Sequence, residues 1–154
     1  MLRVTRLTDY ATVVLTVLAA EPGRVLSAAE LAERAGLEAP TVSKVLKPLA
    51  QAGLLEAFRG AHGGYRLSRP PEDISLIAIV EAMEGPLAMT ECSLDDASCG
   101  IASQCAARAN WRRINDIVAD ALRGVSLAQM LEPPPHPGAG PGAQKRIPAR
   151  LATV

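Results

Sequence analysis

Aromatic side chains are scarce in this sequence, which has one Trp, one Phe and two Tyr among 154 residues. The apolar residues make up 49% of the chain, so they are mainly Ala, Leu, Val and Ile. That composition favours helices packed against one another over a β-sandwich. The length suits one small domain, or one domain with an extension, and it is sufficient for a hydrophobic core.

The sequence also lacks a long hydrophobic run. The longest stretch of low polarity, Ala11 to Ala20, is shorter than the roughly 18 residues that indicate a membrane span. Arg3 and Arg6 precede it as in a secretory signal, but Asp9 interrupts the pattern and no A-x-A cleavage site follows. Cysteine is rare too, and an odd count of three without an export signal argues against a disulfide framework. We therefore expect a cytoplasmic protein with no membrane partner.

The formal net charge is zero, but the charges are unevenly distributed. Residues 40–69 contain five Lys or Arg residues and one acid, whereas residues 70–105 contain seven acids and no Lys or Arg. Such a chain can present a cationic surface to a polyanion while another region stays negative.

Three helices are predicted in the first 51 residues. Apolar residues at helical spacing predict the first helix from about Thr8 to Glu21, with a buried stripe of Tyr10, Val13, Val14, Val17 and Leu18. Ser27 and Glu30 form a capping box that begins a short second helix, Gly36 provides a turn, and Pro40 begins a third helix. This is the helix-turn-helix pattern of DNA-binding proteins, although any three-helix bundle contains a similar turn.

The third helix has a buried and an exposed side. The residues predicted to be buried are Val42, Val45, Leu46 and Leu49, and those on the other side are Thr41, Ser43, Lys44 and Lys47. Pro48 lies inside this helix, where it removes a backbone hydrogen bond, so a kink or an early end is expected.

A β-hairpin is predicted after the third helix. Leu54–Phe58 and Tyr65–Leu67 have the pattern of two short strands, joined by a glycine-rich tip that contains Arg59. Such a hairpin would form a wing, and Arg59 could enter a minor groove. An ordinary solvated hairpin is the alternative, and His62 is interpreted as a simple loop residue.

The predicted fold class is mainly α with a small β-hairpin wing, namely a winged helix-turn-helix domain followed by a long dimerisation helix. The amphipathic stretch Ala106 to Arg123 predicts that helix, and burial within one subunit is the alternative. The apolar residues predicted on one side of it are Trp111, Ile114, Ile117, Val118, Ala121 and Leu122. The predicted parts are a DNA-binding domain (1–70), a connector helix (71–91), a cysteine loop (92–105), the dimerisation helix (106–124), a short helix (125–132) and a disordered tail (133–154).

All three cysteines lie in one polar, acidic loop, where Cys92, Cys99 and Cys105 are separated by six and five residues. Because the loop has no apolar face to bury, we interpret them as ligands. Nearby acids disfavour the thiolate that a thiol enzyme needs, and the gaps are wider than in typical structural zinc sites. Reversible disulfide sensing would leave one cysteine unused. An iron–sulfur cluster tolerates three thiolates and one other ligand on a looser loop, so we prefer it. Zinc sensing, thiol-redox sensing and a thiol redox enzyme are the alternatives.

The segments LTDYATVVL, LAERAGLEAPTVSKVLKPLAQAGLL, RGAHGGYRL and EAMEGPLAMTEC, together with the cysteine loop, resemble the Rrf-two family of winged-helix regulators. The resemblance covers about residues 1–131 and is strongest to regulators of the SUF iron–sulfur assembly system. It implies a homodimer that binds double-stranded operator DNA and holds a 2Fe-2S cluster, with 4Fe-4S as the alternative.

The resemblance also implies site residues. It makes Cys92, Cys99 and Cys105 iron ligands. IscR-type members use a histidine three residues after the last cysteine, where this chain has Arg108, whereas NsrR-type members use an aspartate from the partner subunit at the position of Asp9. Capping of the first helix is the alternative role for Asp9. The implied DNA contacts are Glu38, Pro40, Thr41, Ser43, Lys44, Lys47 and Arg59.

Overall fold

The computed structural model describes residues 3–90, 93 and 105–132. Cys92, Cys99 and the predicted disordered tail lie outside the described residues. In chain order the elements are α1 (Arg6–Ala19), α2 (Ala28–Ala35), α3 (Ala39–Gln51), β1 (Leu55–Phe58), β2 (Gly64–Leu67), a 3₁₀ turn (Pro71–Asp73), α4 (Leu76–Glu84), α5 (Arg108–Arg123) and α6 (Leu127–Leu131). The strands form one antiparallel hairpin, so the predicted fold class is confirmed.

Helix α1 begins two residues before the predicted start, because Thr5 caps it by accepting a hydrogen bond from the backbone N–H of Thr8. Its buried side is also rotated from the predicted stripe. Tyr10 and Val13 are only half-buried, and the buried positions are Thr8, Ala11, Val14, Leu15, Leu18 and Ala19.

The predicted capping box is present at the start of α2. Ser27 and Glu30 exchange hydrogen bonds with each other's backbone N–H groups, and those from the Ser27 backbone and hydroxyl lower the pKa of Glu30. Gly36 then ends α2 in the left-handed conformation, with φ of 64°, which a side chain would disfavour. Local sequence signals therefore fix the helix-turn-helix.

Helix α3 buries the four predicted apolar residues, but it differs from the prediction at both prolines. Ala39 is the first helical residue, so Pro40 lies one position later than expected. The helix continues to Gln51, so of the two expected effects of Pro48, a kink or an early end, the early end was wrong. Leu46 and Leu49, on either side of Pro48, are buried in the core, and this packing offsets the lost backbone hydrogen bond.

The hairpin packs against the chain segment that precedes α2. Leu26 forms an isolated antiparallel bridge with Tyr65, through backbone hydrogen bonds of 2.9 and 2.8 Å, and this bridge was not predicted. Gly64 permits the contact, because a Cβ there would lie 2.4 Å from the Leu26 carbonyl oxygen. The wing is thus attached to the helix-turn-helix at its base.

The core does not stop at residue 70. Ile74, Ile79 and Leu127 are fully buried in the same cluster as the apolar residues of α1 to α3. A bridge between Ser75 and Ser126 joins the starts of α4 and α6. Among the described residues, no helix has both the length and the apolar character needed to cross a bilayer.

Candidate nucleic-acid interface and metal centre

The outer face of α3 presents polar and basic side chains to solvent. Pro40, Ser43, Lys44 and Lys47 recur at the spacing of one helical face, and all four are exposed. Since the opposite face is buried in the core, the position of this surface is fixed by packing. The other two predicted contacts of α3 differ: Glu38 is exposed at the N-cap, and Thr41 is half-buried.

The wing has a structured stem and a basic tip. Across the stem, the Arg66 Nε donates to the Glu56 carboxylate at 2.8 Å, and the Arg66 guanidinium lies 4.9 Å from the centroid of the Phe58 ring. Arg59 is exposed at the tip, as is His62. The stem therefore holds the exposed Arg59 guanidinium at the tip, on the same domain whose core positions α3.

These two surfaces can bind an anionic polymer. An exposed helical face with two lysines can enter a major groove, and an arginine on a wing can follow a phosphate backbone or a minor groove. The structure thus places Lys44, Lys47 and Arg59 on the surface, as a DNA interface requires.

Of the three predicted cysteine ligands, Cys105 is the one that lies among the described residues. It is half-buried, its thiol is not in a disulfide, and its carbonyl oxygen accepts a hydrogen bond from the Arg108 backbone N–H at 3.3 Å. Cys105 therefore leads by a single turn into α5. No group of three His, Cys, Asp or Glu side chains with metal-binding geometry occurs within residues 3–90, 93 and 105–132.

Asp9 lies in the first turn of α1 and is exposed. Thr5 is the cap of this helix, so Asp9 does not have the alternative capping role. Within the described part of the chain, its carboxylate makes no hydrogen bond or ion pair. Asp9 is therefore accessible to a group outside its own subunit's core.

The start of α1 is joined to the end of α4 by Glu84. Its Oε1 accepts hydrogen bonds from the buried Thr8 hydroxyl at 2.5 Å and from the Thr5 backbone N–H at 2.8 Å. The Thr8 hydrogen bond, followed by that from Thr5, lowers the pKa of Glu84 below its ordinary value of 4.5. This contact links the turn that bears Asp9 to the segment that leads toward the cysteine loop.

The Glu84 contact predicts a pH dependence of stability. Because the pKa is lowered in the folded state, the stabilisation is present above about pH 4.5 and is lost as the pH falls through the folded-state pKa. Acidification through this range should lower the unfolding free energy of Glu84→Gln less than that of the wild type, as measured by urea denaturation. Glu81→Gln, an exposed change one turn earlier on α4, should keep the wild-type slope of unfolding free energy against pH. Equal slopes for all three proteins would contradict the assignment.

A second contact fixes the approach to the cysteine loop. The Asn115 side-chain oxygen on α5 accepts a hydrogen bond from the Met89 backbone N–H at 3.1 Å, and Asn115 is 9% exposed. Met89 lies three residues before Cys92. The chain is therefore attached to α5 just before the loop by Asn115, and after the loop it enters α5 through Cys105.

The chemistry of the donors fits an iron–sulfur centre. Thiolates are the usual ligands of such clusters, and one further ligand of another type is tolerated. Three residues after Cys105, the Arg108 Nε is buried and has no hydrogen-bond partner. An unpaired cationic donor one turn after a cysteine suits a centre with anionic sulfur ligands.

One flank of α5 is apolar and exposed. Trp111, Ile114 and Ile117 are 40%, 40% and 58% exposed. Val118 and Leu122, predicted on the same side, instead line a cleft of about 280 Å³ with residues of α1 and α4. The predicted stripe is thus divided between contacts within the subunit and a surface without a partner in this single chain.

Sequence reasoning missed Thr8, Glu84, Asn115 and the Arg108 Nε. Thr8 and Asn115 are polar residues at buried positions of amphipathic helices, which is the one signal that could have drawn attention to them. Their partners, by contrast, have no local pattern in the sequence.

A helix-turn-helix with an exposed basic face and an adjoining β-hairpin defines a winged-helix DNA-binding regulator. Residues 4–133 match the family model Rrf2, described as an iron-dependent transcriptional regulator. The chain therefore belongs to the Rrf2 family of transcriptional regulators. Because its named relatives are regulators, we class it as a regulator and not as an enzyme.

Individual relatives agree with this assignment. The chain is 31% identical over 136 residues to protein aau3 of Rhizobium meliloti, and the match covers 88% of each protein. Its structure is similar to that of CymR, the global cysteine regulator of B. subtilis, with a TM-score of 0.66 and 30% identity, covering 85% of this chain and 97% of CymR. T. potens IscR gives a TM-score of 0.61 and 30% identity, covering 84% and 86%.

Proposed function

We propose that this chain is a homodimeric regulator that binds an operator through α3 and the wing, and that responds to an iron–sulfur cluster held by Cys92, Cys99 and Cys105. The genes we assign to it are those of the SUF assembly system, and acting on DNA implies a cytoplasmic location. The cluster is 2Fe-2S, with 4Fe-4S as the alternative. The observation that carries the proposal is the single turn between Cys105 and α5, because it connects the cysteine loop directly to the helix with the exposed apolar face.

Asp9 is the fourth ligand in this proposal, supplied by the partner subunit. Its exposed carboxylate has no partner among the described residues, and its helix turn is held by Glu84. When bound, the cluster supplies iron centres ligated by sulfur, whose reduction potential depends on their surroundings. A ligand from the other subunit would make occupancy sensitive to the relative position of the two subunits.

The residues of the chain can carry this information to the DNA interface. Asn115 and Cys105 fix the loop's two ends to α5, α5 packs on α4, and α4 packs on α1 and α3. A shift of α5 would therefore alter the spacing of the two α3 helices in the dimer. Operators with half-sites about 34 Å apart accept one spacing and reject others. Changing a two-state ratio from 1:99 to 99:1 requires about 5.5 kcal/mol of differential binding.

DNA binding is tested with a duplex selected from a random library by the anaerobically purified protein. Affinity should fall with salt. The logarithm of the binding constant should fall by roughly 0.9 per unit of the logarithm of salt concentration for each neutralised phosphate. Lys44→Gln should weaken binding and reduce the slope by about 0.9 per subunit if Lys44 contacts one phosphate. Arg123→Gln removes one charge from the end of α5, where Arg123 pairs with Asp120, and should leave the slope unchanged. Equal slopes for wild type and Lys44→Gln would contradict the assignment of Lys44.

A thiol sensor is the second candidate, because Cys105 is a free, half-buried cysteine and CymR is a structural neighbour. The two functions differ in metal content. Protein purified without oxygen should be brown and contain stoichiometric iron and sulfide if it holds a cluster. A colourless protein, whose DNA affinity changes on oxidation and is restored by a thiol reductant, would replace the cluster proposal with thiol sensing.

A further inference from the structure

The Arg108 Nε is an unusual atom in this structure. Among the described residues, no other buried side-chain nitrogen or oxygen lacks a hydrogen-bond partner. A cationic N–H removed from water without an acceptor is costly, so native structures rarely retain one unless something supplies the acceptor. This atom therefore points to an acceptor that the described residues of this single chain do not provide.

The position of Arg108 limits what that group can be. Its backbone N–H closes a turn with the Cys105 carbonyl oxygen at 3.3 Å, so the two residues lie side by side where the cysteine loop meets α5. Arg113, one and a half turns further along the same helix, is exposed instead. The unpaired donor thus belongs to the residue that closes this turn with the cysteine that the proposed function assigns to iron.

We propose that the Arg108 Nε–H donates a hydrogen bond to a sulfur of the iron–sulfur centre, either the Cys105 thiolate or an inorganic sulfide. The inference rests on the proposed function and adds a residue that tunes the centre without ligating iron. Hydrogen bonds to cluster sulfurs are one of the factors that set reduction potential. A donor stabilises the more negative, reduced form more strongly, so Arg108 should raise the potential of the centre.

The test is a mediated dithionite titration of the anaerobically purified full-length protein, followed by its visible absorption. Arg108→Lys keeps the charge but lacks the Nε–H, and we expect it to disfavour the reduced form by about tenfold, which is a fall of about 59 mV for a one-electron couple. Arg113→Ala removes a charge from an exposed position of α5 and should change the equilibrium much less. Equal potentials for wild type and Arg108→Lys would overturn the proposal, and so would an equal fall in Arg113→Ala.

A second measurement does not depend on a variant that keeps its cluster. Wild-type protein labelled with ¹⁵N-arginine and reduced to a paramagnetic state should show a ¹⁵N coupling in pulsed electron–nuclear double resonance. Absence of this coupling in a protein with full iron and sulfide content would overturn the role of Arg108 and leave the proposed function intact. A wild-type protein that binds no iron or sulfide would overturn both.

Discussion

Replacing Ile117 with glutamate is expected to convert the proposed dimer to a monomer. Ile117 is 58% exposed in the single chain and lies between Ile114 and Ala121 on the apolar flank of α5. If this flank packs against its copy, the substitution removes apolar burial and places an unpaired carboxylate in the interface twice, at a cost of several kcal/mol. Since about 1.4 kcal/mol changes a dissociation constant tenfold, the dissociation constant of the dimer should rise at least about 100-fold.

Loss of the dimer should also weaken operator binding, because two half-sites would then be bound by independent subunits. Sedimentation velocity gives the mass, and titration of the selected duplex gives the affinity. Ala109→Glu is the matched control, since it adds the same charge at an exposed position on the polar side of α5. It should remain dimeric. An Ile117→Glu protein that is still dimeric at micromolar concentration would show that the interface lies elsewhere.

Much of the helix-turn-helix could be predicted because its signals are local. The capping box of Ser27 and Glu30 and the turn at Gly36 depend on residues within one or two turns of each other. Pro48 shows the limit of such signals. Its local effect predicts a kink or an early end of α3, but the helix continues to Gln51, with buried neighbours on either side of the proline.

The contacts around the proposed metal centre could not be predicted, because they join distant parts of the chain. Thr8 and Glu84 are 76 residues apart, and Met89 and Asn115 are 26 apart. Periodicity had a similar limit in α5. It groups Ile117 with Val118 on one side, yet it does not indicate which residue packs within the subunit and which remains exposed.

Replacing Cys105 with serine is expected to abolish the cluster and the response that depends on it. Serine is close to cysteine in size, and Cys105 is only half-buried, so the fold should be retained. What changes is the ligand, because a hydroxyl does not provide the thiolate on which these clusters depend. Changes to residues that merely support a metal ligand reduce affinity or activity by about 10–100-fold, so losing a ligand itself should reduce iron and sulfide content by more than about tenfold.

The DNA affinity of Cys105→Ser then tests whether the centre controls the dimer. Wild type should bind the selected duplex with different affinities when loaded and when stripped of iron by a chelator, whereas Cys105→Ser should show one affinity under both conditions. Ser93→Ala, inside the cysteine loop, alters a hydroxyl that pairs with Thr90 without removing a proposed ligand, and it provides a control that should keep the wild-type response. If the wild-type affinity does not depend on iron, Cys105 and α5 do not form a switch, even when the cluster is present. If Cys105→Ser still changes affinity on chelation, the iron that controls binding is held by other ligands.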